Sequence, residues 1–195
     1  QEMSRGLGDV YKRQIEDMLV LKNNKGTEEN RVRHMDYGVQ FNKLMYERLI
    51  TNDNITLFSP NDVPGLYETF FSDQERFKEI YETAERNTKI RKKSIRASDL
   101  FSAFMEERKN TGRIYLMNVD HANDHSSFLP EKAPIKQSNL CCEINLPTRP
   151  LNDFNDPKGE IALCTLSAIN WGNIKDPKDF EKPCDLAVRL SLIHI

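Results

Sequence analysis

Apolar positions recur along this chain with two different spacings, and they divide it into short strands and longer helices. Residues 17–21 (DMLVL) predict a short buried strand, ended by an Asn/Gly-rich turn at 22–26. A helix is expected from Asp36, which can cap it, with Phe41, Leu44, Met45 and Leu49 at helical spacing. Residues 55–59 (ITLFS) predict a strand closed by Pro60. Ser72-Asp73-Gln74-Glu75 has the form of a capping box, and the helix it opens carries Phe77, Ile80, Tyr81 and Ala84 on one face. A second amphipathic helix is expected over 98–109, with Leu100, Phe101, Phe104 and Met105 inward and Gly112 beyond its end. Residues 113–119 (RIYLMNV) read as a strand.

The pattern then weakens. Residues 120–138 form a long polar stretch with Pro130 and Pro134. A loop of that length inside a domain is usually functional. It delivers the chain to 139–146 (NLCCEINL), expected to be extended, and a Pro/Asn/Asp-rich connection leads to 160–170 (EIALCTLSAIN), expected to start as a buried strand. Strands alternating with helices of this length predict an α/β class.

Composition removes some function classes. A net charge of -2 gives no basic excess for a nucleic-acid surface. No run of about 18 apolar residues exists to span a bilayer, and no apolar leader is visible at the N-terminus. The cysteines, Cys141, Cys142, Cys164 and Cys184, include no C-x-x-C pair, which disfavours a zinc ribbon and fits a reducing cytoplasmic setting.

The chemistry-bearing cluster is Asn139, Cys141 and Glu143. At i, i+2 and i+4 of an extended segment these side chains fall on one face, with Cys142 on the other. A carboxylate beside a thiol can serve as a general base in sulfur chemistry, and an amide can orient a hydroxyl-bearing substrate. Spacing alone is a weak signal and favours a strand with a buried cysteine and two polar rim groups. Cys164 reads as a small core residue or as a redox partner. Cys184 lies in a charged, helical region without an evident partner. His121 and His125 have the H-x-x-x-H spacing of a metal pair, but polar neighbours and the lack of a third ligand favour local hydrogen bonding, so no metal site is expected. His34, beside Arg31 and Arg33, reads as a solvated basic face, and no glycine-rich phosphate loop occurs.

In order along the chain, LVLKNNKG (19–26), NRVRHMDYGVQ (30–40), ITLFSPNDVPGLY (55–67), TGRIYLMNVDH (111–121), SNLCCEINLPTRPLND (138–153) and GEIALCTLSAIN (159–170) closely resemble the large subunit of class I ribonucleotide reductase. The resemblance spans residues 15–189. It implies an α/β barrel of ten strands, incomplete here, with the radical cysteine on a central loop. It implies that Cys141 becomes a thiyl radical and takes the substrate's 3′ hydrogen. Glu143 would be the base for the 3′-hydroxyl, Asn139 would bind the sugar hydroxyls, and Cys164 would be one of two reducing cysteines, its partner upstream of this chain. It further implies a ribonucleoside diphosphate substrate, a metal-containing small subunit that supplies the radical, thioredoxin or glutaredoxin as reductant, and a homodimer of the full-length subunit. No cofactor is expected on this chain itself, and ATP and dNTP effectors would bind parts mostly absent from it.

Three departures qualify the resemblance. Cys142 stands where relatives usually carry another residue. Residues 1–14 and 190–195 do not fit the family and are expected to be non-native, leaving 15–189 as a partial catalytic barrel domain. The chain alone is expected to be inactive and not stably folded, because a partial barrel leaves strand edges unpaired and its core half exposed. Two other readings share much of the pattern. One is a non-catalytic partner that kept the fold, which the intact Asn139, Cys141, Glu143 and Cys164 disfavour. The other is a cobalamin-dependent class II relative, which the wider match at 30–67 disfavours.

Overall fold

A computed structural model describes residues 7–9, 14–23, 25–27, 29, 31–32, 36–139, 141–164 and 166–192. The chain divides into two compact units, Gln1–Glu160 and Ile161–Ile195.

In the first unit a parallel sheet is built from β1 (Leu7–Asp9), β2 (Tyr37–Phe41) and β5 (Ile114–Asn118), in the order β1-β2-β5. Gly38 lies opposite Tyr115 and Gln40 opposite Met117. A separate antiparallel pair joins β3 (Asn54–Phe58) and β4 (Lys92–Arg96). The helices are α1 (Ile15–Leu19), α2 (Lys43–Ile50), α3 (Leu66–Ser72), α4 (Gln74–Arg86), α5 (Ala97–Thr111) and α6 (Val119–Asp124). The α/β class expected from the sequence is the one observed.

Local chemistry sets the helix ends. Asp73, extended, accepts from Arg76 N at 2.9 Å and caps α4, one residue later than the capping-box reading placed it. Asn42 caps α2 by accepting from Met45 N and also donates to Gln74 at 2.9 Å. Gly112 closes α5 in the left-handed region at φ +68°, where an L side chain is strained.

The core is aromatic. Phe41, Phe58, Phe70, Phe71, Phe77 and Tyr81 are fully buried. Phe70 meets Phe77 edge-on at 5.3 Å between ring centroids, and Phe58 meets Tyr81 at the same distance. The Tyr81 hydroxyl donates to Thr56 O at 2.8 Å and accepts from Thr56 N at 2.7 Å, tying α4 to β3. Burial pushes the Tyr81 phenol far above its usual range, so it stays neutral as this pair of bonds requires. Arg48 pairs with Glu85 at 2.7 Å at the edge of the same core.

Several expectations are corrected. Residues 15–19 form a helix rather than a strand at 17–21, because Ile15 and Leu19, four apart, are the buried positions. The helix expected from Asp36 begins only at Lys43. Before it, Tyr37–Phe41 is a strand buried at every position, as a parallel strand covered on both faces must be. Met105 points outward and is 57 % exposed. The first part of the 120–138 loop is helical, as α6.

In the second unit, Trp171 stacks on Phe180 with ring centroids 4.4 Å apart, and α7 (Glu181–Leu192) follows. Residues 161–170 form no strand among the described residues, contrary to expectation. Among the described residues the pairing beside them is an isolated antiparallel bridge of Arg149 with Glu160. Without neighbouring strands an apolar segment has no ladder to join. Among the described residues no helix is long and apolar enough to cross a membrane.

Candidate active site

Among the described residues of 138–144 the chain closes into a turn, not the extended run expected. Cys142 N donates to Asn139 O at 3.0 Å, and Cys142 adopts φ +64°. The Asn139 side-chain oxygen accepts from Glu143 N at 3.1 Å and Ile144 N at 3.0 Å. Its amide nitrogen donates to the Glu143 carboxylate. Ser138 Oγ closes the ring by donating to Ile144 O at 2.7 Å. One asparagine thus satisfies two backbone donors that a tight turn would otherwise leave open, which is what short polar side chains do well.

The turn sorts its two cysteines. Cys141 is exposed, whereas Cys142 is half-buried and packs on Met117 and Ile135. Burial, followed by the nearby Glu143 charge, pushes the Cys142 thiol up, so it remains protonated. Asn139 and Glu143 therefore meet, but by turn closure rather than by strand alternation. The carboxylate is already held by the amide, and an exposed thiol stands between them in sequence.

Tyr115 of β5 borders the turn. Interaction with the Cys141 thiol raises the Tyr115 phenol above its usual range. Arg113, one step before the same strand, lies 3.6 Å from Asp36, which also pairs with Lys22. The Lys22 hydrogen bond is the main cause that holds the Asp36 carboxyl below its usual value.

Other sequence candidates lie elsewhere. Cys164 is exposed, in the second unit, and Cys184 is half-buried on α7. His121 and His125 sit on and just after α6 with ring centroids 5.7 Å apart, rather than in a loop. No group of three or more metal-binding side chains occurs among the described residues. His34 lies outside the described residues.

A family profile for the ribonucleotide reductase barrel domain matches residues 8–191. The chain belongs to this family. It is 61 % identical over 180 residues to a ribonucleoside-diphosphate reductase subunit alpha of Buchnera aphidicola from Acyrthosiphon pisum, covering 92 % of this chain and 24 % of that protein. The same-named subunit of Haemophilus influenzae is 59 % identical over 180 residues, with the same two coverages. Ribonucleoside-diphosphate reductase 1 subunit alpha of Escherichia coli K12 is 62 % identical over 140 residues, covering 72 % of this chain and 18 % of that protein. The chain thus spans about a quarter of the length of the curated relatives it matches.

Within this ribonucleotide reductase barrel segment, sequence reasoning passed over Tyr115, Gln40 and Asn123 as functional candidates. The last two are buried polar residues inside apolar surroundings. Their signal was available in one form: a polar side chain inside a strand or helix that is otherwise buried needs a partner.

Proposed function

We propose that this chain is the part of a ribonucleoside-diphosphate reductase large subunit that carries the radical cysteine. Cys141 takes the hydrogen from C3′ of a ribonucleoside diphosphate as a thiyl radical. Glu143 accepts the 3′-hydroxyl proton, and Asn139 binds the sugar hydroxyls. The 2′-hydroxyl takes a proton from one of the two reducing thiols and leaves as water. Cys164 and a cysteine outside this chain deliver two electrons and end as a disulfide, which thioredoxin or glutaredoxin reduces. Cys141 then returns the hydrogen to C3′, giving the deoxyribonucleoside diphosphate used for DNA synthesis.

The observation that carries this reading is the 139–143 turn. An amide and a carboxylate are hydrogen-bonded across it, and the exposed Cys141 lies on it. A preformed amide–carboxylate pair needs little reorganisation when a substrate hydroxyl arrives. The relatives, named as ribonucleoside-diphosphate reductase alpha subunits, support the substrate class and a partner subunit.

The remaining parts of the reading lie outside the chain. The radical comes from a metal-containing small subunit, no cofactor is held here, and ATP and dNTP effectors bind elsewhere on a cytoplasmic homodimer. The test is an assay of the complete subunit with its small subunit and a dithiol. Deoxyribonucleoside diphosphate that forms only when both are present is expected. A complete subunit that stays inactive with a competent small subunit would overturn the reading in favour of a non-catalytic relative.

A further inference from the structure

Two buried amides hold residues 135–136, the stretch just before the turn that carries Cys141. Asn123, on α6, is 3 % exposed, and both its amide nitrogen and its amide oxygen are hydrogen-bonded. Its Nδ2 donates to Val119 O at 2.8 Å and to Ile135 O at 3.0 Å, while its Oδ1 accepts from Ile135 N at 2.7 Å. The side chain therefore grips both backbone groups of Ile135, as a neighbouring strand would. Gln40, on β2 and 2 % exposed, donates to Lys136 O at 2.7 Å and to the Met117 sulfur at 3.4 Å.

The gripped residues lead directly to the turn. Ile135 is fully buried and packs with Met117, Ala122 and the side chain of Cys142. Ser138 and Asn139 follow, and their side chains close the turn onto Glu143 and Ile144. A continuous run of contacts thus links Asn123 to Ile135, Ile135 to Cys142, and Cys142 to the exposed thiol beside it. Nothing else among the described residues of 125–137 is in regular secondary structure. The amides replace a sheet ladder as the means of fixing this stretch.

We propose that Asn123, backed by Gln40, is a positioning residue for the reaction at Cys141, its amide fixing Ile135 and through it the height and direction in which the turn presents the thiol. This rests on the reading of Cys141 given above. It touches neither substrate nor thiol. Its effect follows from geometry: hydrogen transfer needs the reacting atoms near contact distance, and a misplacement of about 1 Å can cost on the order of 100-fold in rate. The polar groups of Asn123 are buried, so an apolar replacement also leaves the Ile135 N–H and C=O without partners.

The test uses the complete subunit carrying Asn123→Leu, Asn123→Asp and Gln40→Leu. Asn123→Asp keeps the acceptor for Ile135 N and loses the donor to Ile135 O, so it serves if the leucine variant fails to fold. Two readouts are taken. Amide hydrogen exchange follows Glu143 and Ile144, whose N–H groups are bonded to Asn139, with α4 as internal reference. Turnover is measured with the small subunit and a dithiol. In Asn123→Leu the exchange at 143 and 144 is expected to rise about tenfold or more with α4 unchanged. kcat falls by about 10- to 100-fold, and KM for the diphosphate changes less than kcat does. Asn123→Asp and Gln40→Leu give smaller changes of the same kind. Wild-type exchange at 143 and 144 in a folded variant overturns the proposal. So does an increase spread evenly over α4, since that is a general loss of stability. The exchange readout does not depend on activity. If Cys141→Ser stays active, the site assignment fails, whatever the turn amides do.

Discussion

The regions 37–119 and 161–190 both carry large apolar side chains, and they treat them in opposite ways. In the first, Phe41, Phe58, Phe70 and Phe77 are fully buried within one apolar cluster. In the second, Ile161 and Leu163 are each 67 % exposed and Leu166 is 89 % exposed. The difference is one of partners. The first region supplies its own helices and strands to cover each apolar face. The second leaves an apolar strip exposed, in a chain that spans about a quarter of its relatives' length. A core left half exposed, expected for the whole fragment, is not what residues 37–119 show, whereas among the described residues of 161–190 the apolar side chains are largely uncovered. A hydrophobic pattern states which face needs covering, and not whether the cover lies in the same segment.

The largest effect should come from the self-contained region. Phe77→Ala in the complete subunit is expected to cost about 3–5 kcal/mol in denaturant unfolding, from lost burial and the cavity left behind. A cost near zero would mean that the aromatic cluster is not packed as described. The second region should respond to context. Leu166→Ala is expected to stay within about 0.5 kcal/mol in the isolated chain. In the complete subunit, where the strip is covered, it is expected to cost about 2–5 kcal/mol. Equal effects in both settings would erase the comparison.

A smaller effect isolates the polar part of the first core. Tyr81→Phe removes both bonds to Thr56 and leaves its backbone groups buried, at an expected cost of about 1–3 kcal/mol measured by the same unfolding. The smallest is a pH effect at the turn. The Cys142 thiol is raised, so its alkylation should have a midpoint above the ordinary thiol value of about 8.5. The sign for stability follows: the unfolded thiol ionises first, so this contribution is present below the unfolded pKa and is lost as pH rises through the folded one. A Cys142 alkylation midpoint at or below the ordinary value would place that side chain in solvent.

Much of the first region was legible in the sequence. The strand at 54–58, the helix faces of 74–86 and 97–111 and the strand at 114–118 follow from periodicity and caps. The errors have physical causes. Tyr37–Phe41 is buried on both faces and so shows no alternation, and the short helix at 15–19 declares itself only through Ile15 and Leu19. At the site, Asn139, Cys141 and Glu143 were legible as a cluster, but the turn was not. Its closure depends on hydrogen bonds from one amide, and such bonds leave no period. The grip of Asn123 on Ile135 spans twelve positions and is equally silent. Residues 160–170 were read as starting a strand from their apolar run, and such a run does not say whether a neighbouring strand is there to pair with.

The most direct measurement is deoxyribonucleoside diphosphate formation by the complete subunit, with its small subunit and a dithiol, comparing wild type, Cys141→Ser and, as a control on α7, Cys184→Ser. The turn at 139–143 predicts that product falls to background in Cys141→Ser and stays near wild type in Cys184→Ser. Undiminished product in Cys141→Ser would place the radical chemistry on another residue and contradict the account.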